Sequence, residues 1–571
     1  MIKLTGGDAL LRAMGAERIP FVFGVVGGKL SAFLHAVSRH PTIRYIGARH
    51  EGNAAMMASC VNAATGQLGV VVGECGSGGG NLVPGIAIAN ANNLPMFVVT
   101  SNNQHAASYP TRGMFAEMDT ESVFRPITKW NAAVHDGRRI PELVHRALNE
   151  TFTGRPGPVH LDVPQDIMRG TFDYEERAFG AEPAAYRPTS GPGPTASQVK
   201  AAADLLLGAK RPLLLAGGGV TAAGATENFR VLAASLNAAA AATQMGNGTI
   251  ASNDPRFIGL GWVCGGDAFL RACLEADVVL AVGCRFSSWL RGDGTLLNAD
   301  ARLVHIDIDA HAIGKCMPVT VGICADAKCA LEAINAEVSA RQPTAPRRDW
   351  VQELGVTYRS YRGTLAKLAE ARDAVMHPAA LAHAIGASLP ADALIAFDGG
   401  HTTFWSNDFT PVPAPRTRFN EPGMSQLGFG LPWAIALKLL HPARPVFNIT
   451  GDGAFGFTLQ ELDTAKRLGL PVITIIHNNA CWGVIKFGFE KAGFEFGAGA
   501  DYGTGLAGTD YAAIARGFGG HGETVERSED LKPALQRALA SGLPAVIDCR
   551  VRFVPHPGMA HFARMSSAGV G

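Results

Sequence analysis

The stretch 448-NITGDGAFGFTLQELDTAKRLGLPVITIIHNNACWG-483 contains two apolar runs, and each run ends in polar residues. Asp452 stands between Gly451 and Gly453 after the first run, and Asn479 follows the second run. Apolar runs without polar alternation, separated by a helical segment, are typical of parallel strands that are covered on both faces. Because ligands bind beyond the carboxyl ends of such strands, we expect Asp452 and Asn479 to lie close together.

The chemistry of these residues indicates what the sheet edge binds. Glycines on both sides of Asp452 allow a sharp turn and a close approach of the backbone to a ligand. The amides of Gly453 and Ala454 begin the next helical segment, where backbone N–H groups bind anions. A carboxylate, the Asn479 amide oxygen and a nearby carbonyl suit Mg²⁺, which completes its octahedron with phosphate oxygens and water. The pattern predicts a metal and diphosphate site; alternatively, GDG forms only a turn and Asn479 only a cap.

The whole chain repeats this alternation of apolar runs and helical segments. Its 571 residues suggest roughly three domains, at about 100–200 residues each. We therefore predict the α/β class, with three doubly wound parallel-sheet domains. The segments 1–19 and 458–468 are expected to be helical. The predicted bounds are 1–175 for an N-terminal domain, 190–340 for a central domain, 365–555 for a C-terminal domain and 556–571 for a tail.

Composition narrows the classes of function. Lys and Arg number 50 and Asp and Glu number 49, which argues against nucleic acid or an anionic membrane as the main partner. The N-terminus has no apolar signal core, and no apolar run reaches the length of about 18 residues that a membrane span needs. The ten cysteines form no CxxC pair, so we interpret them as reduced, mostly buried thiols. A cytoplasmic protein is expected.

The GDG and NN motifs at this spacing resemble the cofactor motif of thiamine diphosphate enzymes. The resemblance implies that the Asp452 carboxylate, the Asn479 side chain and the Cys481 carbonyl hold Mg²⁺. The turn 398-DGGHTT-403 matches the second diphosphate-binding turn of that family. The residues that the resemblance places against the cofactor are Gly400, His401, Thr402, Gly451, Asp452, Gly453, Ala454, Asn479, Cys481, Trp482 and Gly483.

The stretch 44-RYIGARHEGNAAMMA-58 places Glu51 after a predicted strand and at the start of a predicted helix. Together with 69-GVVVGECGSGGGN-81, it is similar to the acetolactate synthase-like branch of the same family. This resemblance implies that Glu51 hydrogen-bonds N1′ of the cofactor's aminopyrimidine and promotes loss of the C2 proton. An uncharged environment would favour the neutral, proton-sharing carboxyl. Alternatively, Glu51 only stabilises the helix dipole.

A third motif, 421-EPGMSQLGFGLPWAIALKL-439, matches the aminopyrimidine-binding segment of the family. The resemblance implies that Leu427 props the cofactor into its bent shape and that the Ser425 carbonyl and the Leu427 amide bind the aminopyrimidine. A plain helix N-terminus is the alternative. The resemblance also implies a dimer or tetramer, in which each cofactor lies between the pyrimidine-binding domain of one subunit and the diphosphate-binding domain of another.

The reaction type is predicted from further stretches, among them 127-ITKW-130 and 157-GPVHLDVPQDI-167. These stretches resemble benzaldehyde lyase and 2-hydroxyacyl-CoA lyase at least as much as acetolactate synthase. We predict a carboligase or lyase that makes or breaks C–C bonds next to a carbonyl, with 2-oxo acids, acyloins or aldehydes as substrates. The alternatives are a non-oxidative 2-oxo acid decarboxylase, a flavin-dependent enzyme of the pyruvate oxidase type and a non-catalytic relative.

Two positions depart from the family pattern. Ala116 stands where many relatives carry an active-site Gln, and we expect this change to open the substrate pocket. Lys29 stands where benzaldehyde lyase has a His. Together with Gly28 and Glu51, Lys29 is a candidate catalytic residue. It either binds a substrate carboxylate or oxyanion or points to solvent.

Other candidate pocket residues are less distinctive. His105 lies just past a predicted strand and is expected to line the pocket, with a plain loop as the alternative. Val484 and Phe487 are expected to shape substrate access. The C-terminal tail either closes as a lid or is disordered. The tail residues that such a lid would use are Met559, His561 and Phe562.

The central domain contains one Gly-rich turn, in 213-LLLAGGGVTAAG-224, directly after a predicted strand. Such a turn is compatible with a dinucleotide, and relatives in the family bind FAD or ADP in this domain. The alternative is that the glycines serve only the packing of the backbone.

Overall fold

The structure is a computed structural model that describes residues 1–108, 112–262, 265–291, 297–341, 348–491 and 501–559. Within these ranges, the chain forms three six-stranded sheets and one two-stranded sheet. All strand pairs of the six-stranded sheets are parallel, and helices connect their strands. The predicted α/β class with three parallel-sheet domains is confirmed.

The first six-stranded sheet has the strand order β3-β2-β4-β5-β7-β6, and β1 pairs with β8 in the separate two-stranded sheet. The strands of this part of the chain are β1 (Ile2–Thr5), β2 (Phe21–Gly24), β3 (Arg44–Gly47), β4 (Gly69–Glu74), β5 (Met96–Ser101), β6 (Trp130–Ala133), β7 (Pro158–Asp162) and β8 (Thr171–Tyr174). Its helices are α1 (Gly6–Ala13), α2 (Ser31–Ser38), α3 (Glu51–Thr65), α4 (Ser77–Asn92), α5 (His105–Ser108), α6 (Thr120–Phe124), α7 (Ile140–Phe152), α8 (Gln165–Arg169) and α9 (Pro183–Tyr186).

The prediction of a helix over residues 1–19 is wrong at its N-terminal end, where the chain forms a strand. Residues Ile2–Thr5 form β1, because they pair in antiparallel register with Thr171–Tyr174. The helix α1 begins only after Thr5, whose side chain accepts a hydrogen bond from the Asp8 N–H and so caps the helix. A pairing with a strand so distant in the chain has no local sequence signal.

The second six-stranded sheet has the strand order β11-β10-β9-β12-β13-β14. Its strands are β9 (Pro212–Ala216), β10 (Ala239–Ala242), β11 (Phe257–Leu260), β12 (Val278–Val282), β13 (Arg302–Asp307) and β14 (Val321–Cys324). The helices of this part are α10 (Ala196–Gly208), α11 (Gly218–Ala222), α12 (Thr226–Leu236), α13 (Asp267–Glu275), α14 (Ser288–Arg291), α15 (Ala327–Arg341) and α16 (Arg348–Ala369).

The third six-stranded sheet has the strand order β16-β15-β17-β18-β20-β19. Its strands are β15 (Leu394–Phe397), β16 (Arg418–Phe419), β17 (Val446–Gly451), β18 (Val472–Asn478), β19 (His521–Val525) and β20 (Ala545–Arg550). The helices of this part are α17 (Pro378–Ser388), α18 (Gly400–Phe409), α19 (Gly430–Leu440), α20 (Asp452–Phe455), α21 (Glu461–Arg467), α22 (Gly483–Lys491), α23 (Tyr511–Gly517) and α24 (Leu531–Ser541).

The prediction of a helix over 458–468 is also wrong at its N-terminal end, because the helix begins three residues later. The single turn α20 ends before Gly456, turns follow, and α21 begins at Glu461. Gly456 has a low helix propensity. The Thr458 hydroxyl donates to the Gly428 carbonyl at 2.8 Å, which holds this segment in its turn conformation.

The chain packs as two compact units. Unit 1 consists of Met1–Thr189, Gly423–Ala443 and Thr458–Leu470, and unit 2 consists of Ser190–Pro422, Arg444–Phe457 and Pro471–Gly571. Unit 1 therefore contains α19 and α21, although both helices lie between strands of the third sheet in the sequence. Within unit 1, α3 packs against α19, and the Trp433 indole N–H donates to the Ser59 hydroxyl at 3.1 Å. The predicted domain bounds stay a prediction.

Two general expectations bear on the whole chain. The nine cysteines of the described residues are all free, and six of them are buried. This agrees with their interpretation as reduced thiols. Within the same residues, no helix combines the length and the apolar character that a membrane span requires.

The Gly-rich turn of the central domain packs backbone against backbone. A Cβ added at Gly217 would lie 2.0 Å from the Gly283 carbonyl oxygen, and one added at Gly219 would lie 2.7 Å from the Gly283 Cα. Close packing between β9 and the end of β12 therefore accounts for these glycines. Binding of FAD or ADP by this unit stays a prediction.

We expect Gly217→Ala to destabilise the protein by about 1–3 kcal/mol, because the new methyl group would have to displace backbone atoms. The free energy of unfolding, measured by urea denaturation followed by circular dichroism, checks this. Gly208→Ala is the matched control, since no atom lies within 4 Å of a Cβ added there. An unchanged urea midpoint for Gly217→Ala would contradict the packing argument.

Candidate functional site

Asp452 lies at the carboxyl edge of the third sheet, in unit 2. It follows β17, which pairs in parallel with β18 so that Gly451 is opposite His477. The Asp452 side chain is buried, and its Oδ2 atom has no hydrogen-bond partner among the described residues. Burial raises the pKa of this carboxyl to about 6. A buried carboxylate oxygen without a partner is costly, and a cation beside it would offset that cost.

Asn479 and Cys481 lie in a tight turn after β18. Ala480, between them, has a φ of 52°, and the Cys481 N–H donates to the Asn479 Oδ1 at 3.2 Å. The Trp482 N–H donates to the Thr504 carbonyl at 2.8 Å, which fixes the far side of the turn. The parallel register of β17 and β18 places this turn at the same sheet edge as Asp452. The two motifs that were singled out in the sequence thus meet at one edge.

The turns after β15, β17 and β18 pack closely against each other. A Cβ added at Gly453 would lie 2.5 Å from the Trp482 ring, and one added at Gly400 would lie 2.6 Å from the Val484 side chain. A Cβ added at Gly451 would lie 3.1 Å from the Thr402 hydroxyl oxygen. The glycines therefore allow three separate loops to approach one another. We call Asp452 and these three turns the Asp452 site.

His401 lies in the first turn of α18, beside these loops. Its ring is buried, and its Nε2 lies 2.6 Å from the Val554 carbonyl oxygen. A carbonyl only accepts, so Nε2 carries the proton and donates. Burial lowers the pKa of His401 to about 4, which favours the neutral ring. The Trp405 indole N–H donates to the same carbonyl at 3.3 Å.

The partners that support the Asp452 site were not predicted from the sequence. The Tyr511 hydroxyl donates to the Asp452 carbonyl at 3.0 Å, and the Asn478 amide donates to the Asp548 carboxylate at 2.9 Å. Val554 was missed as well. Tyr511, Asp548 and Val554 come from separate, later elements of the chain and belong to no motif, so no local pattern indicated them. Asn478 is the first asparagine of the NN motif, but its bond to Asp548 joins residues 70 apart and has no local signal.

The predicted entrance residues Val484 and Phe487 pack in one apolar cluster of unit 2. Phe487 is buried in it with Met559 at the end of the described chain, and Val484 is partly buried against it. The other residues of this cluster are Leu260, Trp262, Trp289, Phe404 and Phe553. The tail therefore returns to the neighbourhood of α22. His561 and Phe562 lie outside the described residues, and a role of the tail as a lid stays a prediction.

Glu51 lies in unit 1 and is the first residue of α3, just beyond β3. The Asn81 amide donates to Glu51 Oε2 at 3.0 Å. A Cβ added at Gly78 would lie 3.2 Å from Glu51 Oε1, so the glycine leaves room for the carboxyl group. His50 caps the helix by accepting the Gly52 N–H at 3.1 Å. Position and partners suit either a helix-stabilising or a catalytic carboxyl.

Lys29 is buried in unit 1 and does not point to solvent. Its Nζ lies 3.4 Å from the Glu74 carboxylate and donates to the Phe115 carbonyl at 3.3 Å and to Cys75 Sγ at 3.2 Å. Gly28 precedes it in a short turn. Phe115 itself is 85% exposed, and the neighbouring Ala116 has a φ of 54°. Lys29 therefore links two segments by its contacts: the strained turn that contains Ala116, and the end of strand β4.

Three further predicted residues lie in unit 1 without a contact that assigns a role. His105 is exposed; its N–H donates to Asp166 at 3.0 Å and its Nδ1 lies 3.4 Å from His135 Nδ1. Ser425 is exposed with a φ of 56°, and Leu427 is half-buried. Their roles stay predictions.

Comparison with known protein families supplies the context for this geometry. Residues 4–123 match the thiamine pyrophosphate enzyme, N-terminal TPP binding domain, and residues 199–334 match the central domain of the same enzymes. Residues 398–549 match their C-terminal TPP binding domain. The chain belongs to the thiamine pyrophosphate enzyme family. Thiamine pyrophosphate is another name for thiamine diphosphate, so the resemblance inferred from the sequence is confirmed.

Curated relatives within the family are acetolactate synthase large subunits. The probable large subunit of Methanococcus aeolicus is 30% identical over 95% of this chain and 92% of its own length. That of Methanocaldococcus jannaschii is 31% identical over 95% of this chain and 91% of its own. The acetolactate synthase isozyme 1 large subunit of Escherichia coli is 30% identical over 96% of this chain and 94% of its own length. The similarity thus extends over nearly the whole chain.

The two sites fall into different domains of this thiamine pyrophosphate enzyme. Glu51 belongs to the N-terminal TPP binding domain, and Asp452 and Asn479 belong to the C-terminal one. Among the described residues, no cluster of three His, Cys, Asp or Glu side chains is placed to hold a metal ion. The ligand set predicted for Mg²⁺ is of another kind, since it combines one carboxylate with an amide oxygen and a backbone carbonyl. The unpartnered Asp452 oxygen fits that set.

Asp452→Asn is expected to stabilise the cofactor-free, metal-free protein. Its folded-state pKa of about 6 exceeds the ordinary 3.8, so ionisation opposes folding above that range. At pH 8 the gain should be about 2–3 kcal/mol, at about 1.4 kcal/mol per pKa unit, and it should shrink as the pH falls from 6 toward 4. Urea denaturation at pH 8 and pH 5 measures it.

Asp548→Asn serves as the control for that substitution. Asp548 is also buried, but it forms an ion pair with Arg550 at 2.9 Å and accepts from the Tyr511 N–H at 3.1 Å. Burial raises the pKa of Asp548 as well, but its replacement also removes the ion pair and should therefore destabilise the protein, by about 1–3 kcal/mol. A loss of stability for Asp452→Asn at pH 8 would contradict the view that the ionised carboxyl is destabilised by burial.

Proposed function

We propose that the protein is a thiamine diphosphate-dependent carboligase or lyase that makes or breaks C–C bonds next to the carbonyl of a small substrate. The observation that carries the proposal is the unpartnered, buried Asp452 oxygen at the junction of three glycine turns, in a C-terminal TPP binding domain. The names of the curated relatives support carboligation of 2-oxo acids, because these relatives are acetolactate synthases. Acyloins and aldehydes are the other candidate substrates.

The residues of the Asp452 site would hold the charged end of the cofactor. Asp452, the Asn479 side chain and the Cys481 carbonyl would bind Mg²⁺, whose preferred ligands are oxygen atoms. The amides of Gly453 and Ala454 would donate to the diphosphate at the start of α20. Gly400, Thr402 and Gly483 line the neighbouring turns and let the backbone approach the ligand. When bound, thiamine diphosphate supplies a carbon nucleophile that is stabilised by its thiazolium ring.

Glu51 would hold and share the proton that activates the cofactor. A carboxyl group can donate to a ring nitrogen when protonated and accept when ionised, whereas an amide cannot exchange that proton. The Asn81 amide donates to Oε2 of the Glu51 carboxyl. The other oxygen, Oε1, lies beside Gly78, where the missing side chain leaves space. Ser425 and Leu427 would bind the aminopyrimidine through backbone groups.

We propose that the protein acts as a dimer or a larger assembly. Glu51 and Asp452 lie in different units of the chain. Each would act with the complementary site of a second copy. Mixing the inactive variants Glu51→Gln and Asp452→Ala, followed by unfolding and refolding together, should then restore part of the activity. Persistent inactivity of a mixed dimer that is shown to form would contradict shared sites.

Ala116 and Lys29 would line the part of the site that binds the substrate. Ala116 would leave room for a bulkier donor or acceptor than a glutamine would. Lys29 remains the candidate for binding a substrate carboxylate, although Glu74 already balances its charge. His105, Val484 and Phe487 would narrow the access route. The cytoplasmic location expected from the sequence is part of this proposal.

Product analysis tests the proposed reaction. The full-length protein, loaded with thiamine diphosphate and Mg²⁺, is incubated with pyruvate, benzoylformate, benzaldehyde or an acyl-CoA. We expect a C–C ligation or cleavage product with at least one of them, and no turnover after removal of the cofactor and treatment with EDTA. Acetaldehyde or benzaldehyde as the only product of the oxo acids would indicate a decarboxylase instead. Hydrogen peroxide formation by a yellow protein would indicate a flavin oxidase.

We expect Glu51→Gln to retain thiamine diphosphate binding while exchange of the cofactor's C2 proton slows by about a hundredfold or more, the range that acid–base groups supply. The reason is that the amide cannot share a proton with the aminopyrimidine. The exchange rate is followed by NMR after quenching in D₂O, and binding by quenching of tryptophan fluorescence. Asn81→Asp is a second variant that keeps the Glu51 carboxyl but replaces its hydrogen-bond donor. An unchanged exchange rate in Glu51→Gln would remove Glu51 from this role.

A further inference from the structure

The turn that carries Glu51 is held by a second, deeply buried carboxylate. Glu461, the first residue of α21, is 0% exposed. The Arg49 N–H donates to both of its oxygens, at 3.1 Å to Oε1 and 3.3 Å to Oε2. The Asn53 amide donates to Oε1 at 2.8 Å. These donors lie two residues before and two residues after Glu51. The Glu461 side chain therefore binds both the backbone that precedes α3 and the first turn of that helix.

Other residues of α21 support the same turn. The Thr464 hydroxyl donates to Glu461 Oε2 at 2.6 Å, which orients the carboxylate. The Arg467 guanidinium donates to the Gly47 carbonyl at the end of β3. All of these residues belong to unit 1, so Glu461 and Arg467 of α21 hold the segment 47–53. Asp463, which lies between them in the sequence, forms an exposed side-chain ion pair with Arg49 at 3.8 Å.

This carboxylate is an unusual choice for a purely structural contact. Burial raises the pKa of Glu461, which shows that the protein bears a cost for keeping an acid there. An apolar side chain would fill the space without that cost, but it could not accept from the two donors of the Glu51 turn, the Arg49 N–H and the Asn53 amide. The backbone N–H of Arg49 in particular lies outside the helix and has no partner within α3. The contact therefore fixes where the helix starts, and with it the direction of its first side chain.

We propose that Glu461 is a positioning residue for Glu51: through Arg49 and Asn53 it holds the strand–helix turn in the one conformation that presents the Glu51 carboxyl to the cofactor. The inference rests on the proposed role of Glu51. Glu461 itself does not touch the reacting atoms. Its contribution is geometric, because a misplacement of a reacting group by about 1 Å can cost about a hundredfold in rate.

Three substitutions of Glu461 separate geometry from charge. Glu461→Ala removes every acceptor, and Glu461→Asp keeps the charge but withdraws the carboxylate by one methylene group. Glu461→Gln keeps an acceptor oxygen for Arg49 and Asn53, and its amide can donate to the Thr464 hydroxyl. We expect C2-proton exchange of the holoenzyme to slow by about tenfold to a hundredfold in the Ala and Asp variants. It should stay within about threefold of the unaltered protein in the Gln variant.

The matched control lies on the same helix. Asp463→Asn removes a carboxylate two residues away whose partners are side chains, Arg49 at 3.8 Å and Arg467 at 3.9 Å. Such partly exposed ion pairs contribute little, so its exchange rate should not change. Thiamine diphosphate affinity, measured by tryptophan fluorescence, should change less than about threefold in all four variants, since none of these residues holds the charged end of the cofactor.

The decisive measurement is the double variant Glu51→Gln/Glu461→Ala. If Glu461 acts through Glu51, the second substitution should slow exchange by less than about threefold in the Glu51→Gln background, because coupled residues are not additive. A full additional loss of tenfold or more would show that Glu461 supports the fold in general, and would overturn the inference. So would normal exchange in folded Glu461→Asp. If Glu461→Ala does not fold, the Asp and Gln variants carry the comparison.

The outcomes distinguish this inference from the proposed function. Slow exchange in Glu51→Gln with normal exchange in Glu461→Ala and Glu461→Asp overturns only the role of Glu461. Normal exchange in Glu51→Gln overturns the proposed role of Glu51, and the inference falls with it. Slow exchange in the Gln variant with normal exchange in the Asp variant would mean that charge and not reach is what matters, which also contradicts positioning by hydrogen-bond geometry.

Discussion

Parallel pairing of β17 with β18 is the constraint on which the candidate site depends. Because Gly451 is opposite His477, the residue after each strand emerges at the same edge. A shift of one residue would reverse the faces of every side chain in the strand, and the buried apolar runs of both strands prevent it. The position of Asp452 relative to the Asn479 turn is therefore set by the packing of Ile and Val side chains far from any ligand.

Three acidic residues illustrate how differently burial is used in this protein. Asp452 is buried with an oxygen that has no partner, which leaves a place for a positive charge. Glu461 is buried with each oxygen satisfied, which makes it a fixed point for the chain. Glu51 is half-buried and has the Asn81 amide as its donor. The same functional group thus has a different number of hydrogen-bond donors at each of the three positions, which changes what it can bind.

The sequence alone indicated the parallel sheets and the polar residues at their ends, since apolar runs and glycine-flanked acids are local signals. Asp452 and Asn479 were singled out in this way and Glu51 by the family resemblance, and the structure places each at the end of a strand or the start of a helix. The pairing of β1 with β8 was missed because it joins distant segments. The contact between Glu461 and Arg49 was missed for the same reason, as 412 residues separate them. Lys29 was recognised as unusual, but its partly buried partner Glu74 could not be inferred from spacing.

The hydrogen bond between His401 and the Val554 carbonyl joins an early part of the third sheet to the last described part of the chain. During synthesis the N-terminal part of a protein leaves the ribosome first. The first sheet and the Glu51 turn emerge long before the His401 ring meets its acceptor, and β20 is also translated late. The packing of the third sheet around His401 can consequently be completed only after β20 and Val554 have been synthesised.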